Sequence, residues 1–247
     1  MSIESPEDLI ALRNVGRICH LALREMAKNV RPGITTAALA DIGAKVMREN
    51  GARSAPAMVY NFPAEILISL NEEAVHGIPS ARRIAPGDLV KLDVTFEKNG
   101  YMGDAAITVP VPPVSDENRT LVQGTKRALH RALRVAQANR RINEIGREIE
   151  KEAHKNGLSV IRELGGHGIG RTIHEPPSIA NYEDRSERGR LTAGLVITIE
   201  PILAIGAART RVAKDGWTVS TADGGFAAHF EHTLVITEGA PILLTAA

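Results

Sequence analysis

The chain has 247 residues, of which 43% are hydrophobic and 24% charged, and its formal net charge is +1. That balance supports a substantial core and excludes a disordered or fibrous chain. It supplies no field to draw nucleic acid or an anionic membrane, so neither is expected as a partner. Cys19 is the only cysteine, which rules out an internal disulfide and suits a reducing cytosol. The opening MSIESPEDLI is acidic and lacks an apolar h-region, so no signal peptide is expected. The most apolar stretch, GLVITIEPILAIGA from residue 194, contains Glu200 and Pro201 and is too short to span a bilayer. The expectation is a soluble, cytoplasmic protein forming a single domain over residues 1–247.

In chain order, Leu12, Val15, Cys19, Ala22 and Met26 recur at three and four and predict one helix face, with Ser5 or Asp8 as cap. Cys19 reads as a small core residue of that face. Arg31-Pro32-Gly33 ends this helix, and Thr35 or Thr36 caps a second one that runs to about Asn50-Gly51. Strands follow at 66–70, 88–97 and 101–111, the last two joined by an Asn99-Gly100 hairpin turn. Helices return at 116–138 and 143–156. Beyond them the spacing predicts strands at 195–200, 217–221 and 226–237, separated by Gly- and Asp-rich turns. This order predicts an α+β fold, an antiparallel sheet covered by helices on one side.

Within that frame, ELGGHGIGRTIHEPPS (163–178) holds His167 and His174 in a stretch that glycines and prolines mark as a rigid loop. It either presents two imidazoles to a ligand or is a solvated loop. In the hairpin, a two-residue turn pairs Thr95 with Asp104 and Asp93 with Ala106. Asp93 and Asp104 are then diagonal neighbours on one face, roughly 7–8 Å apart. Such a pair marks either a solvated polar face or a shared proton or cation. Glu200 and Glu231 both lie in strands rich in β-branched and apolar neighbours, where an acid is costly unless paired or bound to metal. Two Asp, two Glu and a Gly-framed His form an oxygen-rich donor set for Mn, Fe(II), Co, Zn or Mg. Four carboxylates exceed what one catalytic zinc takes and suit two bridged ions.

The ordered segments NEEAVHGIP (71–79), GDLVKLDV (87–94), GYMGDAA (100–106), GGHGIGRTIHEPPSIANY (165–182), TIEP (198–201), DGWT (215–218) and EHT (231–233) resemble the type I methionine aminopeptidases. The resemblance implies the pita-bread fold: a curved antiparallel sheet in two pseudo-symmetric halves, with helices on the outer face. It also implies removal of the initiator methionine from nascent chains whose second residue is small, with the ribosome as a candidate partner and a monomeric state. By that resemblance Asp93, Asp104, His167, Glu200 and Glu231 match ligands of two divalent ions (Co, Mn, Fe(II) or Zn), with Asp104 and Glu231 bridging. His76 and His174 match histidines that contact substrate, and Glu200 is the candidate proton carrier. Phe62, Ile173 and Trp217 match the methionine pocket. Leu67, Val75, Ala105, Leu164, Ile173 and His229 depart from the residues commoner in the family. Of the remaining histidines, His20, His130 and His154 read as helix residues, and His229 and His232 flank Glu231 in packing or supporting roles. The alternatives are an Xaa-Pro aminopeptidase or prolidase of the same fold, and a non-catalytic binding module.

Overall fold

The computed structural model describes residues 1–246. Helix α1 (Pro6–Asn29) starts at Ser5, whose hydroxyl accepts the Asp8 N–H while the Asp8 carboxylate accepts the Ser5 N–H, a capping box. Helix α2 (Thr36–Glu49) is capped by Thr35. A short helix α3 (Ala55–Tyr60) follows, which periodicity did not predict because it is barely more than one turn long. Helices α4 (Asp116–Val135) and α5 (Asn143–Lys155) complete the set; α4 stops three residues short of the expected 138.

A nine-stranded sheet runs through the molecule in the order 53–54, 89–98, 101–110, 231–235, 196–199, 165–168, 175–180, with 67–70 added to 89–98 and 242–243 added to 231–235. Every pairing in it is antiparallel. Two short three-stranded sheets stand beside it. The hairpin has the expected register, with Lys98 opposite Tyr101, Thr95 opposite Asp104 and Asp93 opposite Ala106. Asn99 and Gly100 both have positive φ, 54° and 81°, as a two-residue turn matched to strand twist requires.

Alternation along the hairpin then separates core from site. Val90, Leu92, Val94 and Phe96 are fully buried against α1 and α2, together with Val15, Ile18, Cys19 and Met26. A second cluster packs Leu121, Ala128 and Leu129 of α4 and Ile145 and Ile149 of α5 against Ile197, Ile199 and Leu234. The helices thus cover one face of the sheet, half by half, and the side chains of the opposite face are free for other work.

Two regions depart from the sequence expectation. The Gly-rich stretch is only partly a loop: Gly165–Gly168 and Glu175–Ala180 are paired strands, with a bulge between His167 and Gly168, and residues 169–174, which carry His174, form the irregular connection between them. Strand Glu175–Ala180 is the sheet's edge, so Pro176 and Pro177 remove no N–H that a further strand would need. The expected strand 226–237 is two strands, Ala227–His229 and Glu231–Val235, which belong to different sheets. The break at Phe230 faces Pro201, whose missing N–H interrupts the ladder on the partner chain segment; the Phe230 N–H donates to the Pro201 carbonyl instead. Strand Val219–Thr221 likewise begins two residues later than expected, after the Asp215-Gly216 turn.

Candidate metal centre

Strand register explains how side chains distant in sequence meet. Asp93 lies opposite Ala106, and Ala106 lies opposite Glu231. Since His232 pairs with Ile199, one further step sets Glu231 beside Glu200. This row, Asp93–Ala106–Glu231–Glu200, crosses four strand positions on one face. The next row is Thr95–Asp104–Thr233–Thr198–His167. Thr95 pairs with Asp104 and Thr233 with Thr198. The Thr233 hydroxyl accepts the Asp104 N–H at 2.8 Å and donates to the Asp104 carbonyl at 2.7 Å, and the Thr198 hydroxyl accepts the His167 N–H at 3.1 Å. Directly paired residues share a face, so all five acidic and imidazole side chains project from the same side of the sheet, in two adjacent rows. Ala106, with only a methyl group, leaves space between Asp93 and Glu231.

They open into a cavity of about 290 Å³. Its lining contains all ten residues singled out from the sequence: Phe62, His76, Asp93, Asp104, His167, Ile173, His174, Glu200, Trp217 and Glu231. Tyr60, Thr95 and His229 are there too. No lysine or arginine is among the lining residues.

The electrostatics follow from crowding four acids in that space. Burial, then the charges of Asp104 and Glu200, push the Asp93 carboxyl well above its usual range. Burial raises Asp104 to about 7, and burial together with Asp104 raises Glu200 to about 8. Burial, then the charges of Asp104, Glu200 and Asp93, push the Glu231 carboxyl well above its usual range. Asp104 Oδ1 and Glu231 Oε1 are buried and have no hydrogen-bond partner. Buried acids with free oxygens and no lysine or arginine beside them in the cavity are what a divalent cation offsets. The donor set fits one: Asp104, His167 and Glu231 offer ligand atoms within 4.8 Å of one another. His167 is set for it. Its Nδ1–H donates to the Gly168 carbonyl at 2.9 Å, which leaves the Nε2 lone pair open, 3.6 Å from Glu200 Oε1. Burial lowers His167 to about 4, so it is neutral at pH 7.

Around these groups stands a second set. His174 packs edge-on to His167, ring centroids 4.2 Å apart, and its Nδ1 lies 2.5 Å from the Tyr60 hydroxyl. His76 has φ 60°, a left-handed backbone that aims it into the cavity, and is followed by Gly77, where an added Cβ would meet the Ile68 carbonyl at 2.2 Å. Phe62 and Trp217 meet edge to face at 5.2 Å and, with Ile173, form the apolar wall. Sequence reasoning missed Tyr60, because α3 carries no periodic signal. It also left His229 open between packing and a supporting role. His229 is 2% exposed, with Nε2 3.5 Å from Glu231 Oε2 and 3.7 Å from Glu200 Oε2.

Comparison with known proteins agrees with this geometry. Residues 11–238 match the model of metallopeptidase family M24. The chain is 40% identical to Methionine aminopeptidase 2 of Bacillus subtilis, over 99% of both chains. It superposes on the crystal structure of methionine aminopeptidase from Thermotoga maritima with a TM-score of 0.96, at 32% identity and complete coverage of both. The prolidase of Pyrococcus furiosus shares the fold at a TM-score of 0.80 and 24% identity, but the match covers only 65% of that longer chain. The expected pita-bread fold is therefore the observed one, and this chain belongs to metallopeptidase family M24.

Proposed function

We propose that this protein is a methionine aminopeptidase, which hydrolyses the first peptide bond of chains that begin with methionine. The observation that carries the reading is the meeting, in one cavity without lysine or arginine, of five acidic and imidazole ligands, two further histidines and an apolar wall. Identities of 32–40% to methionine aminopeptidases, against 24% to the prolidase, support it over a prolidase. Asp93, Asp104, His167, Glu200 and Glu231 would hold two divalent ions, with Co, Mn, Fe(II) and Zn all suited to this donor set. Such ions supply an acidified water and charge for the developing oxyanion when bound.

The chain's own groups do the rest. Glu200 accepts the attacking water's proton and delivers it to the leaving amine nitrogen as the C–N bond breaks. His174, with Nδ1 engaged by the Tyr60 O–H, keeps its proton on Nε2 and donates it as a hydrogen bond to the scissile carbonyl oxygen. His76 contacts the substrate from the opposite wall. Phe62, Trp217 and Ile173 hold the methionine side chain, whose polarizable sulfur suits aromatic edges. Nascent chains with a small second residue, met in the cytoplasm by a monomeric enzyme, complete the proposal; the lone buried thiol of Cys19 suits that compartment.

The test is release of methionine from Met-Ala-Ser across several divalent ions, with an Xaa-Pro peptide in parallel. Cation-dependent release from Met-Ala-Ser is expected. Preference for the Xaa-Pro peptide would transfer the chain to the prolidase branch.

A further inference from the structure

His229 ends strand Ala227–His229 of a neighbouring short sheet, and it lines the same cavity as Glu200 and Glu231. Its backbone N–H donates to Thr108 Oγ1 at 2.9 Å, and the Thr108 hydroxyl donates back to its carbonyl at 2.8 Å. Thr108 in turn pairs with Lys91. The break at Phe230 thus leaves the His229 main chain pinned directly behind Glu231. Its ring is buried, and neither nitrogen has a hydrogen-bond partner among the described residues. What it faces is specific. Glu200 turns Oε1 toward His167 Nε2, at 3.6 Å, and toward the Thr198 hydroxyl, at 3.4 Å, and turns Oε2 toward His229. Glu231 turns Oε2 toward His229 and leaves Oε1 without a partner. Both carboxylates therefore present one oxygen to the ligand side and the other to this imidazole.

We propose that His229 is a positioning residue whose Nε2–H is shared between Glu200 Oε2 and Glu231 Oε2, fixing both carboxylates with their other oxygens toward the divalent ion. The inference rests on the metallopeptidase reading above. Glu200, His229 and Glu231 also lie close enough together to hold an ion directly, but the ring's other nitrogen argues against that. A histidine that ligates through Nε2 carries its proton on Nδ1 and donates it to an acceptor, as His167 does to Gly168. His229 Nδ1 has no acceptor. With the proton on Nε2, the ring's only N–H points at two carboxylates, and Nδ1 is left with a lone pair. What the ring supplies is orientation.

The experiment compares Co(II) binding by calorimetry in the wild type, His229→Leu and His229→Gln. Loss of an outer support of this kind weakens metal affinity about 10–100-fold, so the leucine variant is expected to show that loss. The glutamine amide N–H restores most of it. The proton NMR spectrum of the Co(II)-loaded wild type should contain one far-shifted exchangeable imidazole N–H, from His167, which persists in both variants. Should the leucine variant not fold, 15N-histidine NMR of the Zn(II)-loaded wild type decides, with the proton of His229 expected on Nε2. Two far-shifted imidazole signals, one of them lost in His229→Gln, would make His229 a ligand and overturn the proposal. So would a His229 proton on Nδ1, or unchanged Co(II) affinity in a folded leucine variant. Wild-type protein that takes up no cobalt overturns the metallopeptidase reading and this inference with it.

Discussion

Loading the site with a divalent cation should stabilise the fold and expel protons, by amounts that depend on pH in a definite direction. In the empty fold Asp104 titrates at about 7 and Glu200 at about 8, against ordinary values of 3.8 and 4.5. Folded protein therefore binds more protons than unfolded protein between roughly pH 4 and 8, and its stability falls as pH rises through that window. A cation that replaces those protons removes the loss, so the difference in Tm between loaded and empty protein widens from pH 5.5 to 8. At pH 6 both groups are mostly protonated, and saturation should release about two protons from this pair alone. Asp93 and Glu231, raised well above their usual range, add to that release. With free cation at 100 times its Kd, linkage contributes about 2.7 kcal/mol. For a chain of this size that is roughly 5–11 °C in Tm, at about 2–4 °C per kcal/mol. Calorimetry in two buffers of different ionisation enthalpy counts the protons, and thermal unfolding reads the shift. Saturating cation with no proton release at pH 6 and an unmoved Tm would refute the reasoning, because the four acids would then not be sharing a cation.

Three further outcomes follow from the geometry. With Met-Ala-Ser and Leu-Ala-Ser offered at equal concentration, the methionine peptide should be cleaved faster, through Phe62, Ile173 and Trp217; equal rates would mean that the wall does not select the side chain. Tyr60→Phe removes the hydroxyl 2.5 Å from His174 Nδ1 and should lower kcat more than it raises KM if His174 donates to the scissile carbonyl as proposed; an unchanged kcat would separate Tyr60 from His174. Gly166→Ala would set a Cβ 2.4 Å from the Thr198 carbonyl, forcing apart the strands that carry His167 and Glu200. Denaturant titration should show a loss of about 1–3 kcal/mol, together with reduced activity, and a variant as stable as the wild type would show that these strands need no close approach.

Legibility in the sequence varied with how local the determining physics is. The hairpin was readable because Asn99-Gly100 fixes a two-residue turn, and the turn fixes register; Asp93 and Asp104 then fall on one face by counting alone. Helices α1, α2, α4 and α5 were readable from the sequence, and two of them, α1 and α2, also from a side-chain cap. Convergence of His167, Glu200 and Glu231 with that pair was not readable from the residues themselves, since it depends on pairing among strands up to about 140 positions apart. The motif resemblance supplied it. The GGHG and EPPSIA strands were misread as loop because glycine and proline signal breaks in the chain, whereas the edge position of EPPSIA tolerates its prolines and the close approach of Gly166 to the Thr198 carbonyl calls for glycine in GGHG. The division at Phe230 was hidden because its cause, Pro201, lies on a different segment. His229 looked like a neighbour of Glu231 until the fold showed that it lines the same cavity.

The central claim is that five side chains hold a pair of divalent ions which the cleavage of an N-terminal methionine requires. The most direct measurement determines bound metal per chain and methionine release from Met-Ala-Ser on the same preparations of wild type and Asp104→Ala. The wild type should bind two ions and lose activity on chelation, while the folded variant binds fewer ions and releases almost no methionine. Wild-type turnover in the variant, or undiminished release from metal-free protein, would contradict the account.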